Sequence, residues 1–220
     1  MTGRLDAALA AIDAANADDP VTIVVDGVER PKELAHAELV TAWVLRLDPD
    51  ADEAQLLAAR AHHLRRWVVP RSSYPAGRAG YLRWRTDLKA RHAAEVAEIL
   101  ARCGYDGATI ERVGQIIRKE RLRTDPAVQT HEDALCLVFL HTQLAEVADQ
   151  LGEDRTVAVL RKTLAKMSPR GREAIAEVPL GERERELVRR AAQSEGVNPE
   201  TAAADGERAG SSTDVGASEG

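Results

Sequence analysis

Apolar residues recur at intervals of three and four along most of this chain, the spacing that lays one apolar stripe along an α-helix. Leu5 to Ile12 reads as a first helix, stopped by the turn-forming run Asn16-Ala-Asp-Asp-Pro20. Val21-Thr-Ile-Val-Val25, followed by Asp26-Gly27, is the one β-like stretch and predicts a short extended arm or small hairpin. Pro31 suits a helical first turn, and Glu33 to Leu47 carries a second helix as far as Asp48-Pro49-Asp50. Further helices are predicted over Asp52 to Trp67, Tyr81 to Cys103 and Ala108 to Arg121, with Gly104 closing the middle one. Between Val69 and Gly80, Pro70, Pro75, Gly77 and Gly80 predict a loop long enough to be functional. Asp125-Pro126 predicts a break and Thr130-His-Glu-Asp133 a helix start, leading into Ala134 to Leu151 with Gly152 as its stop. Asp154 to Met167 follows, then a turn at Ser168-Pro-Arg-Gly171 and short helices up to Gln193.

Composition agrees with an all-α fold. Aromatic residues make up 3% of the chain, and β-branched runs are scarce beside Ala, Leu, Glu and Arg. The expectation is one helical domain over residues 1–193, followed by residues 194–220, whose Gly, Ser, Ala, Glu and Asp predict a disordered acidic tail. No window approaches a membrane span, and the first residues lack an apolar signal core. Cys103 and Cys136 have no metal or redox spacing and fit a reducing cytoplasm. Dinucleotide and P-loop glycine patterns, a GxSxG elbow, HExxH and zinc-finger spacing are all absent from the sequence.

Charge is unevenly distributed. The chain totals −6, yet Arg60 to Arg123 holds 15 Lys and Arg against 6 Asp and Glu. Arginines there alternate with Trp67, Tyr74, Tyr81 and Trp84 around the Pro/Gly loop. A guanidinium binds oxyanions bidentately and stacks on rings, so Arg65, Arg66, Arg71, Tyr74, Arg78 and Lys119 are candidate phosphate-binding residues. The bland counter-reading is a solvated basic face paired with acids elsewhere.

Four polar groups fall toward apolar helix faces. His36 lies with Leu39, Val40, Trp43 and Leu47; His92 with Leu88, Val96 and Ile99; Asp133 with Leu137, Leu140, Leu144 and Leu151. His63 lies roughly 70° from the apolar centre of its helix and His62 roughly 170°, which predicts that His63 points inward and His62 outward. Histidine and carboxylate converging from several helices form the donor set of a divalent transition metal, so His36, His63, His92 and Asp133 are candidate ligands. The alternative is a buried His–Asp network that only rigidifies the bundle. Glu120 and Glu132 are candidate general bases.

The run Ala61-His-His-Leu-Arg-Arg-Trp-Val-Val-Pro-Arg-Ser-Ser-Tyr-Pro75, with Arg78-Ala-Gly-Tyr-Leu-Arg-Trp-Arg85, His92-Ala, Arg118-Lys-Glu-Arg-Leu122 and Glu132-Asp-Ala-Leu-Cys-Leu-Val-Phe-Leu140, resembles an uncharacterised bacterial and fungal domain of unknown function. That resemblance extends over Leu5 to Pro179 and implies no activity. Its motif carries Gln at the position of His62 and no His at that of His36, so His63, Arg65, Arg66 and Trp67 are the matching residues. The order of ligands also resembles the HD superfamily of helical metal-dependent phosphohydrolases, with His36, His62-His63 and Asp133 in the places of the His, His-Asp and Asp ligands. His63 departs from that pattern, since an Asp belongs there.

The resemblance implies an HD-like helical bundle hydrolysing a small phosphorylated substrate such as a nucleotide. A non-catalytic module binding a nucleotide or RNA through the arginine–aromatic loop, and a plain helical adaptor, are the alternatives. Homodimerisation is a further expectation.

Overall fold

The computed structural model describes residues 3–193; the predicted tail lies outside the described residues. The chain forms α1 (Arg4–Ala17), a hairpin of β1 (Thr22–Val25) and β2 (Val28–Pro31), then α2 (Lys32–Leu47), α3 (Glu53–Ala61), α4 (Arg78–Arg102) and α5 (Gly107–Arg118). It continues with α6 (Pro126–Thr142), α7 (Leu144–Leu151), α8 (Glu153–Leu164), α9 (Pro169–Glu173) and α10 (Glu182–Gln193). The predicted all-α class holds, with the extended arm present as a two-stranded antiparallel hairpin pairing Thr22 with Pro31 and Val25 with Val28. Asp26 and Gly27 turn it with φ of 51° and 79°, the left-handed pair that matches strand twist.

Two apolar cores form. Ile12, Leu57, Leu64, Leu100 and Ile116 unite α1, α3, α4 and α5. Val40, Leu137, Phe139, Leu140, Leu160 and Leu187 unite α2, α6, α8 and α10. Helix α6 enters both, through Val128 in the first and Ala134 onward in the second. The candidate site lies at this seam.

Three local departures from the predicted elements matter for function. Helix α3 ends at Ala61 rather than Trp67. Beyond it the chain closes i to i+3 turns, with Leu64 N–H donating to the Ala61 carbonyl and Arg66 N–H to the His63 carbonyl. Arg65 then takes a left-handed φ of 51°, and its amide donates to Asn16 Oδ1 at 3.0 Å. His62, predicted to face outward, keeps helical dihedrals of φ −55° and ψ −30° and is buried, because α3 is covered on both sides, with Leu57 and Ala58 in the first core and Ala59 in the second.

The predicted break is present between Arg118 and Pro126, and Asp125 opens the next helix. Its carboxylate accepts from the amides of Ala127 and Val128, and Pro126 occupies the first helical turn, so α6 starts there instead of at Thr130. The predicted Ala134–Leu151 helix divides at Gln143 into α6 and α7. Just before the break, Thr142 Oγ1 donates back to the Val138 carbonyl.

Candidate functional site

A cavity of about 370 Å³ opens where α2, the exit from α3, α4, the end of α5 and α6 meet. Five histidines line it: His36 from α2, His62 and His63 from the turn after α3, His92 from α4 and His131 from α6. Helical spacing explains who arrives there. On α4, Trp84, Leu88 and His92 recur every four residues, and on α6 so do His131, Leu135 and Phe139. Asp19 fixes the start of α2, accepting from Val21 N–H at 2.9 Å and from Glu33 N–H at 3.0 Å. That anchor sets Glu33 one turn before His36 at the cavity wall.

Glu33, His36 and His63 offer donor atoms that all lie within 4.8 Å of one another. His63 Nδ1 stands 3.2 Å and His36 Nδ1 3.9 Å from the same carboxylate oxygen, Glu33 Oε2. Donors each about 2.1 Å from one ion are at most about 4.2 Å apart, so both separations suit a shared ion.

The protons sharpen this fit. Thr142 Oγ1 spends its hydrogen on the Val138 carbonyl and so accepts from His36 Nε2–H at 3.1 Å. His36 Nδ1 is therefore an unprotonated lone pair facing a carboxylate oxygen, an arrangement that calls for a cation between them. His63 donates Nδ1–H to Glu33 and accepts at Nε2 from Arg66 at 3.2 Å.

The other imidazoles are equally short of partners. His92 donates Nδ1–H to the Leu64 carbonyl at 2.8 Å, leaving Nε2 buried with no partner. His62 donates to the Ala59 carbonyl at 2.9 Å, and neither nitrogen of His131 has a partner. The His62 ring lies 6.2 Å from that of His131, and the His63 ring 6.0 Å from that of His92. Burial, assisted by Arg66, holds His36 and His62 at about 4 and His92 at about 3, and His63 and His131 also fall well below the usual value. All five are neutral at pH 7, the state in which imidazole ligates or accepts a proton.

Cations flank them. The Arg66 guanidinium lies 5.0 Å from the Trp84 ring centroid, while Trp84 Nε1–H donates to the Val69 carbonyl at 3.0 Å. Arg85, Lys89 and Lys119 also line the wall. Arg71 reaches it too, but its guanidinium donates to the Tyr74, Pro75 and Gly77 carbonyls and so shapes the loop from within. Gly80 is required there, because a Cβ would fall 1.9 Å from the Pro75 carbonyl oxygen.

Of the predicted metal ligands, His36 and His63 come together, His92 stands beside them and Asp133 does not. Residue 133 lies two positions, about 200° of helix, past His131. Its carboxylate accepts from Ser168 N–H, Ser168 Oγ–H and Gln129 Nε2–H at 2.9, 2.6 and 3.0 Å, joining α6 to the α8–α9 turn. The HD ligand order thereby loses its last Asp.

Among the predicted phosphate ligands, Arg65, Tyr74 and Arg78 lie outside the cavity wall; Tyr74 Oη–H donates to Asp87. Glu120 is exposed and accepts from Arg118, and Glu132 is buried against Lys119 at 2.5 Å. Neither candidate base reaches the cavity.

Glu33, His131 and Lys89 were not singled out by the sequence, and His62 entered only through the HD ligand order and was predicted to face outward. Glu33-Leu-Ala-His36 is itself a signal, since a Glu and a His three apart share one helix face. His131 with Leu135 and Val138 has the same apolar periodicity as the faces that were read.

No match was found among curated proteins or among solved structures. Residues 6–188 match the family described as domain of unknown function (DUF4202), a span that includes every residue of the cavity and nearly all of both cores, and the chain belongs to that family.

Proposed function

We propose that this protein is a metal-dependent phosphohydrolase acting on a small phosphate-bearing substrate such as a nucleotide. The observation that carries the reading is the His36 Nδ1 lone pair facing Glu33 Oε2, with His63 on the same oxygen and Arg66 beside it. Glu33, His36 and His63 would hold a divalent transition ion, whose chemistry is polarisation of a phosphoryl oxygen and activation of water.

Each residue has a part that follows from its protons. His63 offers Nδ1 once its proton moves to Nε2; Arg66 then has no acceptor on the ring and is released toward the cavity, where its planar fork suits a phosphoryl group. His92 keeps Nδ1–H on the Leu64 carbonyl, and burial holds it neutral, so its Nε2 is a hydrogen-bond acceptor for a bound water or substrate hydroxyl and not a base. Trp84 and the Arg71-shaped loop wall the site from solvent and raise the worth of each charge inside it. Cys103 and Cys136 are both free, which suits a reducing cytoplasmic setting.

The test is metal analysis of untagged protein purified without chelator, followed by a hydrolysis screen over nucleotides and other phosphate monoesters. Near-stoichiometric transition metal, lost in Glu33→Gln and His63→Ala together with turnover, is the expected result. Wild-type protein that takes up no manganese, iron, cobalt or zinc would overturn it.

One observation favours a second reading, a nucleotide- or RNA-binding module without turnover: both nitrogens of His63 are already hydrogen-bonded. Salt-sensitive binding of nucleotide or short RNA by a protein that neither holds metal nor hydrolyses would select it.

A further inference from the structure

The cavity wall carries further cations, Arg85, Lys89 and Lys119, that the metal cluster does not use. Lys89 lies on α4 one turn before His92, Lys119 caps the end of α5 in a left-handed conformation with φ 59°, and Lys166 follows α8. These three lysines, from separate elements, surround one fully buried carboxylate, Glu132 of α6. Burial pushes the Glu132 carboxyl up, but Lys119, Lys166 and Lys89 together hold it below the ordinary range, so it is ionised. It pairs with Lys119 at 2.5 Å and cannot balance the other two.

The excess positive charge remains uncompensated by the protein. Lys166 Nζ is buried with no hydrogen-bond partner, and among the described residues no carboxylate forms an ion pair with Lys89 or with neighbouring Arg85. Burial first, then the charges of Lys119 and Arg85, lower Lys89 to about 8. Grouping like charges out of water is unfavourable unless an anion joins them. Lys89, Lys119 and Arg85 all face the cavity, so an anion arriving there would meet them.

We propose that Lys89 and Lys119, backed by Lys166, bind a second phosphoryl group, so that the cavity takes a small molecule carrying two phosphate-type groups. The ammonium groups act as compact point charges, suited to an oxyanion that is held rather than transferred. A volume of about 370 Å³ is in the range of small-ligand sites. This names the substrate class of the same cavity and rests on its reading as a phosphate-ester site, but the lysine contact itself needs no metal.

The test is calorimetric titration of the metal-free full chain with inorganic phosphate. Wild type should bind phosphate with an affinity that falls as salt rises, and Lys89→Met should weaken it by about tenfold. Thermal stability of Lys89→Met should be unchanged or higher, because a like charge has been removed from the cluster; a merely structural lysine would lower it. Lys119→Met is made together with Glu132→Gln, so that no buried carboxylate loses its cation, and should show the same loss of binding. Arg78→Met, a cation outside the cavity wall, should bind phosphate within about twofold of wild type. Wild type that binds no phosphate at millimolar concentration, or loss of binding in Arg66→Met with Lys89→Met unaffected, overturns the proposal. Failure of hydrolysis with the lysine site intact overturns the phosphohydrolase reading alone.

Discussion

Asp133 and Glu33 are both buried carboxylates on apolar helix faces, and they do opposite things. Asp133 accepts three hydrogen bonds from Ser168 and Gln129 and fastens α6 to the α8–α9 turn. Glu33 faces the cavity, meets one imidazole proton and one imidazole lone pair, and has acceptor capacity left over. Asp133 sits where three donors come from the chain itself, whereas Glu33 receives one, from His63, and faces a second acceptor in His36 Nδ1. Burial marks a carboxylate as consequential, but its partner count separates a fastener from a binding site.

The contrast breaks most visibly on truncation. Asp133→Ala strands Ser168 N–H and Oγ–H, while Gln129 Nε2 keeps the Lys166 carbonyl, and should cost about 3 kcal/mol in denaturant unfolding while leaving the metal content of the folded fraction unchanged. Loss of metal at full stability would reverse the assignment of the two carboxylates. Glu33→Gln should do the converse, shifting unfolding by about 1 kcal/mol or less and weakening metal affinity more than tenfold.

Acid separates the two regions by pH. The folded-state values of His36, His62 and His92 lie below the unfolded value of about 6.5, so the unfolded chain takes up protons first as pH falls. Stability is therefore level above about pH 7 and declines below 6.5 toward the folded values, by up to about 1.4 kcal/mol per pH unit for each histidine. Asp133 works in the other direction and lower down, because burial raises its pKa and the folded state gains the proton first. Metal-free protein followed by urea unfolding between pH 7 and 5 checks the sign; a flat profile would mean that the imidazoles are hydrated.

The smallest effect concerns Lys89. With a value of about 8 it is mostly charged at pH 7, and phosphate affinity should fall severalfold as pH rises past 8. Lys89→Arg should remove that pH dependence while keeping the binding.

Much of the scaffold could be read from the chain, because helical periodicity is local. The hairpin turn at Asp26-Gly27 and the bodies of α2, α4, α5 and α8 follow from spacing and stop signals alone. What misled was the assumption that a helix continues until something forbids it. The α3 stripe runs on through Leu64 and Trp67, yet the amide of Arg65 is captured by Asn16, a partner 49 residues away. His62 is buried because α3 is covered on both sides, which a single apolar stripe does not foretell. His63, His92 and Arg66 were legible as site residues because helix-face and charge arguments point the same way. Glu33 was hidden by its ordinary place in an acidic first turn, and Asp133 was misread because an apolar face signals burial and not the identity of the partner.

The hydrogen bond between His36 and Thr142 closes a loop of 106 residues, and that span sets an order of events during synthesis. His36, His62, His63 and His92 all emerge from the ribosome before the α6 wall exists, so the nascent cluster remains hydrated and protonatable until Thr142 has been made. The hydrogen bond that orients the His36 ring thus forms only in a late, long-range docking step.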